Sequence, residues 1–162
     1  RSGGLAHGTV FRMNKDGTGY TVVYEVAPPS SDPFPILSRL LEGSDGYLYG
    51  TAYDSQAPSY GVVFRMTKQG ANYTVLHEFT DTDTFNGEGP VGPLIEASDG
   101  VLYGTTVEGG DSEGGTVFKI SKAGNGFAVL HRFTFDEGSN PSTGLLEASD
   151  GKLYGTAFNG GF

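Results

Sequence analysis

The sequence contains no cysteine, so disulfides, thiol catalysis, iron–sulfur clusters and cysteine-ligated zinc sites are excluded. Basic residues are also scarce: 10 Lys and Arg stand against 19 Asp and Glu, and the net charge of −9 argues against a surface that binds nucleic acid or anionic membranes. No apolar run approaches the roughly 18 residues of a membrane span. Glycine, in contrast, accounts for 27 of 162 residues, which predicts a chain with many turns.

Three copies of a unit of about 53 residues account for nearly all of the chain. The pattern Gly-x-Val-Phe-basic-apolar occurs at residues 8–13, 61–66 and 115–120. The pattern Asp-Gly-x-Leu-Tyr-Gly-Thr occurs at 45–51, 99–105 and 150–156. Two further apolar blocks occur at 40–42, 94–96 and 145–147, and at 20–26, 73–79 and 127–133. Each repeat therefore holds four short apolar blocks.

These blocks have the composition of strands rather than helices. They are rich in Val, Leu, Phe, Tyr and Thr, and Gly, Asp, Asn or Ser bound them. The nearest candidate for a helix is residues 36–42, but the equivalent segments carry Gly92, Pro93 and Gly144. Four antiparallel strands in about 50 residues are typical of a β-propeller blade. We therefore predict an all-β fold of propeller blades.

Loop lengths predict the order of the strands within a blade. The longest connection, residues 27–35, follows the block at 20–26, which we therefore assign to the outer strand. The Leu-Leu-Glu block is then the inner strand, and the Leu-Tyr-Gly-Thr block is the second strand. The Gly-x-Val-Phe block is the third strand, and the Tyr-Thr-Val block is the outer strand. The chain forms a single repeat domain with a half-blade at 1–26, a blade at 27–79, a blade at 80–133 and a half-blade at 134–162.

The two half-blades are complementary, and three blades are too few for a ring, which typically needs at least four. We expect the C-terminal strands of one copy to pair head to tail with the N-terminal strands of another. A closed assembly of two or three copies would have six or nine blades, and a filament would form if the rotation did not close. We favour the closed assembly, with six blades ahead of nine, and a designed sequence or a fragment of a longer array is the alternative.

The chain resembles a known repeat family in three submotifs of its central copy: Asp99–Thr106, Gly109-Gly110 and Gly115–Ile120. In their order and spacing these are similar to the Gloeo/Verruco (GloVer) tandem repeat, and the resemblance covers nearly the whole chain. The first copy departs from the pattern at residues 54–60, which replace the Gly-Gly loop. The resemblance implies a bacterial, extracellular or cell-surface repeat protein. It supplies no enzymatic activity and no catalytic residues.

The inner strands carry the first set of candidate binding residues, Glu42, Glu96 and Glu147. Such carboxylates could line a central channel and hold a cation, or they could make a repeated hydrogen bond to a turn. A residue present in every repeat is first a structural candidate, so the hydrogen bond is favoured. His77 and His131 lie on successive outer strands, too far apart for one metal ion, and we predict no metal site and no cofactor.

The long loops carry the second set of candidate binding residues, because variable loops on a rigid scaffold are where ligands usually bind. Two kinds of connection share one face: those between second and third strands, and those between outer and inner strands. The sequences of these connections differ most between copies. On that face we single out Tyr53, Asp54, Tyr60 and Glu108.

The function predicted from these features is a non-enzymatic propeller module that acts as a self-assembling scaffold or a surface-binding protein. The alternative is a carbohydrate-binding propeller, in which exposed aromatic rings stack on sugars and carboxylates bind their hydroxyls. A propeller glycosidase is less favoured, because it needs two carboxylates about 5–9.5 Å apart and only Glu42 and Glu96 qualify. The chain itself and, in the alternative, glycans are the expected partners.

Overall fold

The computed structural model describes residues 8–26, 36–53, 59–80, 82 and 84–160. Within these ranges the chain forms antiparallel strands and one single-turn 3-10 helix, Thr84–Asn86. The strands are β1 Gly8–Arg12, β2 Thr21–Val26, β3 Ile36–Leu37, β4 Leu41–Glu42, β5 Leu48–Tyr53, β6 Ser59–Met66, β7 Thr74–Thr80, β8 Ile95–Glu96, β9 Leu102–Thr106, β10 Thr116–Ile120, β11 Ala128–Arg132, β12 Leu145–Glu147 and β13 Leu153–Gly155. The predicted all-β class is confirmed.

Hydrogen bonding divides the strands into four sheets. One sheet has the order β8-β9-β10-β11, and the preceding repeat has the order β5-β6-β7 with β3 and β4 both paired to the free edge of β5. The predicted order of inner, second, third and outer strands is therefore confirmed in both repeats. The other two sheets hold two strands each: β1-β2 is a third and an outer strand, and β12-β13 is an inner and a second strand.

The inner strand of the first complete repeat is divided into β3 and β4, where a single strand was predicted at 40–42. Ser38 lies at the division. Its backbone N–H donates to the carbonyl of Thr51 at 3.1 Å, and the backbone N–H of Thr51 donates to the Ser38 hydroxyl, also at 3.1 Å. A side-chain oxygen thus replaces a backbone carbonyl in the ladder and interrupts the strand.

The Asp-Gly turns join inner and second strands. In the first copy, the Asp45 carboxylate accepts a bond from the N–H of Tyr47 at 3.3 Å and from the Tyr49 hydroxyl at 2.7 Å. Gly46 adopts a φ of 82°, which a residue with a Cβ rarely adopts. The same two carboxylate bonds recur at Asp99, to Val101 and Tyr103, and at Asp150, to Lys152 and Tyr154.

A phenylalanine on each complete third strand packs over a glycine on the second strand. Phe118 pairs with Gly104 and is fully buried. A Cβ on Gly104 would lie 2.5 Å from Cζ of Phe118 and 2.8 Å from Cδ2 of Leu94, so only glycine leaves room. Gly50 has the same relation to Phe64. These contacting atoms belong to the same repeat, so the glycine leaves room for close packing within one sheet.

Two hydrophobic clusters hold adjoining sheets together. The larger joins β5-β6-β7 to the β8–β11 sheet, and the smaller joins β1-β2 to β5-β6. Their buried members are Tyr49, Val63, Leu76, Phe79, Leu94, Leu102, Phe118 and Ile120 in the first cluster, and Val10, Ala52, Val62, Phe64 and Met66 in the second. Stacked rings repeat this junction near the outer edge, with centroids 4.6 Å apart for Tyr24 and Tyr73 and 3.6 Å apart for His77 and Phe127. His77 thus contributes a ring to the contact between two repeats.

The contact between Gly104 and Phe118 predicts a large cost for one added methyl group. We expect Gly104→Ala to lower the free energy of unfolding by about 1–3 kcal/mol, as overpacking of a filled core does. Urea denaturation at a fixed chain concentration measures this change. Phe118→Leu removes the clashing ring atom, so the double variant should lose less stability than the two single changes added together. Simple additivity would contradict the packing account.

Candidate functional site

The three predicted inner-strand glutamates line one open groove of about 1000 Å³. Glu42 ends β4, Glu96 ends β8 and Glu147 ends β12. The Asp-Gly turns before β5 and β9 contribute Ser44 and Ser98 to the same groove. The repeat therefore brings carboxylates and turn hydroxyls from successive sheets to one surface.

Glu96 connects two repeats through its carboxylate. It accepts bonds from the backbone N–H of Ser44 at 2.7 Å, from the Ser44 hydroxyl at 2.6 Å and from Nζ of Lys122 at 2.6 Å. Ser44 belongs to the preceding repeat and Lys122 to the turn after the third strand of the same repeat. The Glu96 side chain is only 12% exposed. Burial raises the pKa of Glu96, but the bonds from Lys122 and Ser44 outweigh burial and lower that pKa to about 2.

The other two glutamates each make part of this set of bonds. Glu147 accepts bonds from the N–H and the hydroxyl of Ser98, both at 2.7 Å, in the same arrangement that links Glu96 to the repeat before it. Glu42 is paired with Lys68 and is 58% exposed. Within the described ranges no serine donates to Glu42 and no lysine pairs with Glu147.

These contacts support the hydrogen-bonding interpretation of the glutamates. Serine turns are tied to the inner strand of the next repeat, which is a structural use of the carboxylate. A pKa of about 2 suits a permanently ionised group better than the general acid of a glycosidase, whose pKa must be raised. In the part of the chain that the structure describes, no group of three or more His, Asp or Glu side chains is placed to hold a metal ion. Binding of a ligand by the three glutamates stays a prediction.

Two of the residues predicted in loops lie in strands instead, Tyr53 in β5 and Tyr60 in β6. Glu108 lies in the connection after β9, and the connection before β8 passes beside it and beside β6. Gly89 donates its N–H to the carbonyl of Tyr60 at 3.2 Å, and Glu88 and Glu108 exchange backbone bonds of 2.8 and 3.0 Å. Tyr53, at the end of β5, and Tyr60 are half-buried, whereas Glu108 is exposed. Tyr60 and Glu108 are thus held through one crossing loop. Asp54 lies outside the described residues, and a ligand for this face stays a prediction.

Sequence reasoning missed the serine and lysine partners of the glutamates. The serines and the lysines are both recognisable in the sequence, because they recur in every copy at nearly the same spacing as the strands. The serines are Ser44, Ser98 and Ser149, and the lysines are Lys15, Lys68 and Lys122. What the pattern did not indicate is that Ser44 and Ser98 each bond to the glutamate about 50 residues ahead, in the next repeat.

A family model described as the Gloeobacter/Verrucomicrobia repeat matches residues 1–162. The chain belongs to this repeat family, as the three submotifs of its central copy predicted. A search of curated proteins gave no match. Among the residues that the structure describes, no helix is long and apolar enough to cross a membrane.

The bonds to Glu96 predict that its charge stabilises the fold. We expect Glu96→Gln to lower the free energy of unfolding at pH 7 by about 2 kcal/mol, since hydrogen bonds to a charged group are among the strongest. Glu42→Gln is the matched control, because it removes the equivalent carboxylate from an exposed ion pair and should cost less than about 1 kcal/mol. Equal losses in urea denaturation would contradict the assignment.

The contribution of the Glu96 carboxylate to the free energy of unfolding has a defined pH dependence. Because the pKa of Glu96 in the folded chain is about 2, below its ordinary value of 4.5, its contribution to stability is complete above about pH 4.5. That contribution is lost as the pH falls towards 2. The stability difference between the parent chain and Glu96→Gln should therefore shrink over this window, and a difference that stays constant would argue against an ionised Glu96.

Proposed function

We propose that this member of the Gloeobacter/Verrucomicrobia repeat family is a non-enzymatic scaffold that assembles head to tail into a β-propeller. The sheet β12-β13 of one copy supplies the inner and second strands of a blade. The sheet β1-β2 of another copy supplies the third and outer strands. A ring of two copies then has six blades, and a ring of three has nine.

The exposure of two large side chains, one near the end of β1 and one directly after it, carries this proposal. Phe11 is 53% exposed and Met13 is 52% exposed. Their counterparts in the complete repeats are fully buried: Phe64, Phe118, Met66 and Ile120. Burying a side chain of this size is worth about 1.5–3 kcal/mol, so the exposed pair favours association with a surface that fits it.

The β12-β13 sheet has the matching features. Tyr154 is 51% exposed, whereas its counterpart Tyr49 is fully buried in the cluster that joins its sheet to the following sheet. Gly155 has Leu145 beside it, as Gly104 has Leu94, but no phenylalanine lies over Gly155 within the described ranges. Phe11 of another copy is the residue that the repeat would place there. Pairing would also cover edge strands, which otherwise invite aggregation.

A scaffold fits the groove better than an enzyme does. The repeated carboxylates are already bonded to serine and lysine side chains, and Glu96 has a lowered pKa. A carbohydrate-binding or other surface-binding role would use the loop face that holds Tyr60 and Glu108. That role and an extracellular or cell-surface location stay predictions.

The mass in solution tests the assembly. One chain is 17.0 kDa, and light scattering across a concentration series should give a single species of about 34 or about 51 kDa. Phe11→Asp should shift this species to the monomer, because a charge cannot be buried over the glycine of another copy without a partner. Phe85→Asp is the matched control, since Phe85 is 60% exposed and lies away from both half-sheets.

Two outcomes would contradict the proposal in different ways. A mass that keeps growing with concentration would replace the closed ring with a filament. A stable 17.0 kDa monomer would rule out self-assembly of this chain, and it would leave completion of the half-sheets to further repeats of a longer protein.

A further inference from the structure

Each complete repeat pairs a lysine after its third strand with the glutamate of its own inner strand. Lys68 pairs with Glu42 and Lys122 pairs with Glu96, in both cases 26 positions apart. Lys15 holds the same place after β1, and it makes no ion pair among the described residues. In this pattern Lys15 would pair with a glutamate on an inner strand of its own sheet, but in the described part of the chain the sheet that contains β1 consists of β1 and β2 and has no inner strand.

The first two serine turns are each bonded to the inner-strand glutamate of the next repeat. Ser44 donates to Glu96 and Ser98 donates to Glu147. Ser149 holds the same place in the turn between β12 and β13, and within the described ranges no carboxylate accepts a bond from it. On the N-terminal side of the described chain, Lys15 therefore lacks a glutamate partner and Glu42 lacks a serine partner. On its C-terminal side, again among the residues described, Glu147 lacks a lysine partner and Ser149 lacks a glutamate partner.

We infer that a second copy of the chain supplies the missing partner to each of these groups. Lys15 of one copy pairs with Glu147 of the other, and Ser149 of the second copy donates to Glu42 of the first. The inference rests on the proposed function and specifies the contacts that select the partner. With both contacts made, Glu42 and Glu147 each gain the full set of bonds that Glu96 has within one chain.

The aromatic stacks at the outer edge agree with the same pairing. Tyr24 stacks on Tyr73 and His77 stacks on Phe127, each between successive repeats. The next pair in this series is His131 with Tyr20 of a second copy. Tyr20 is 59% exposed, as a ring without its stacking partner from another repeat would be.

Charge at this junction selects head-to-tail association. Opposite charges meet when β1-β2 of one copy joins β12-β13 of another. If two β12-β13 sheets met instead, the Glu147 side chains of both copies would lie on the same surface and repel each other. Complementary charges of this kind fix the partner and the orientation more than they raise affinity.

Charge reversal tests the pairing with the full-length chain. Lys15→Glu and Glu147→Lys should each weaken assembly about tenfold or more, as measured by light scattering of a dilution series. The double variant should assemble within about threefold of the parent chain. The two single variants change the net charge in opposite directions, so a general charge effect would not weaken both. Circular dichroism checks that each variant is folded.

Mixing the two single variants adds a test that depends on the number of copies. Every junction of a two-copy ring pairs opposite charges when the variants alternate, so the mixture should recover the parent mass. A three-copy ring cannot alternate and keeps one repulsive junction, so its mixture should recover only in part. Recovery in neither the mixture nor the double variant would overturn the inferred pairing.

The failure of this inference is distinguishable from the failure of the proposed function. If the parent chain is monomeric, the proposed scaffold fails and the junction with it. If the parent assembles but neither charge reversal weakens assembly, the scaffold stands and the pairing of Lys15 with Glu147 is wrong. Ser149→Ala adds a separate measurement of the second contact, and we expect it to weaken assembly about threefold to tenfold.

Discussion

Burial of the third-strand phenylalanine over the second-strand glycine is the contact on which the rest of the structure depends. Phe64 over Gly50 and Phe118 over Gly104 fill the space between strands that are paired in register. A repeat divided between its second and third strands leaves the phenylalanine of one half without its glycine. Phe11 is in that position and is 53% exposed.

The two complete repeats form separate sheets, and side-chain contacts together with the backbone bond from Gly89 to Tyr60 join them. The Glu96 carboxylate reaches the serine turn of the repeat before it, and the ring of His77 stacks on Phe127 of the repeat after it. Both contacts use equivalent positions of the repeat, and Tyr24 with Tyr73 takes the place of His77 with Phe127 one step earlier, so similar geometry is available at successive steps of the array. Repetition of a step with a constant rotation is what allows an array of sheets to close or to extend.

Much of this fold could be predicted from periodicity alone. Three copies of four short blocks indicate the strands, and the lengths of their connections indicate the order that β8 to β11 adopt. The division between β3 and β4 could not be predicted, because it depends on one serine hydroxyl entering the ladder. The partners of the glutamates were missed for a related reason, since a bond between Ser44 and Glu96 spans 52 positions and composition carries no sign of it.

Cross-linking in register tests the shared blade most directly. The chain has no cysteine, and by analogy with Lys119 and Tyr103, Arg12 of one copy should oppose Tyr154 of another. Opposed Cα atoms lie about 4.5–5.5 Å apart, within the range that a disulfide spans. The account predicts that oxidised Arg12→Cys/Tyr154→Cys forms disulfides between chains in high yield, and that Arg12→Cys/Leu153→Cys, which places the thiols on opposite faces, does not. Equal cross-linking of the two variants, or none in either, would contradict the shared blade.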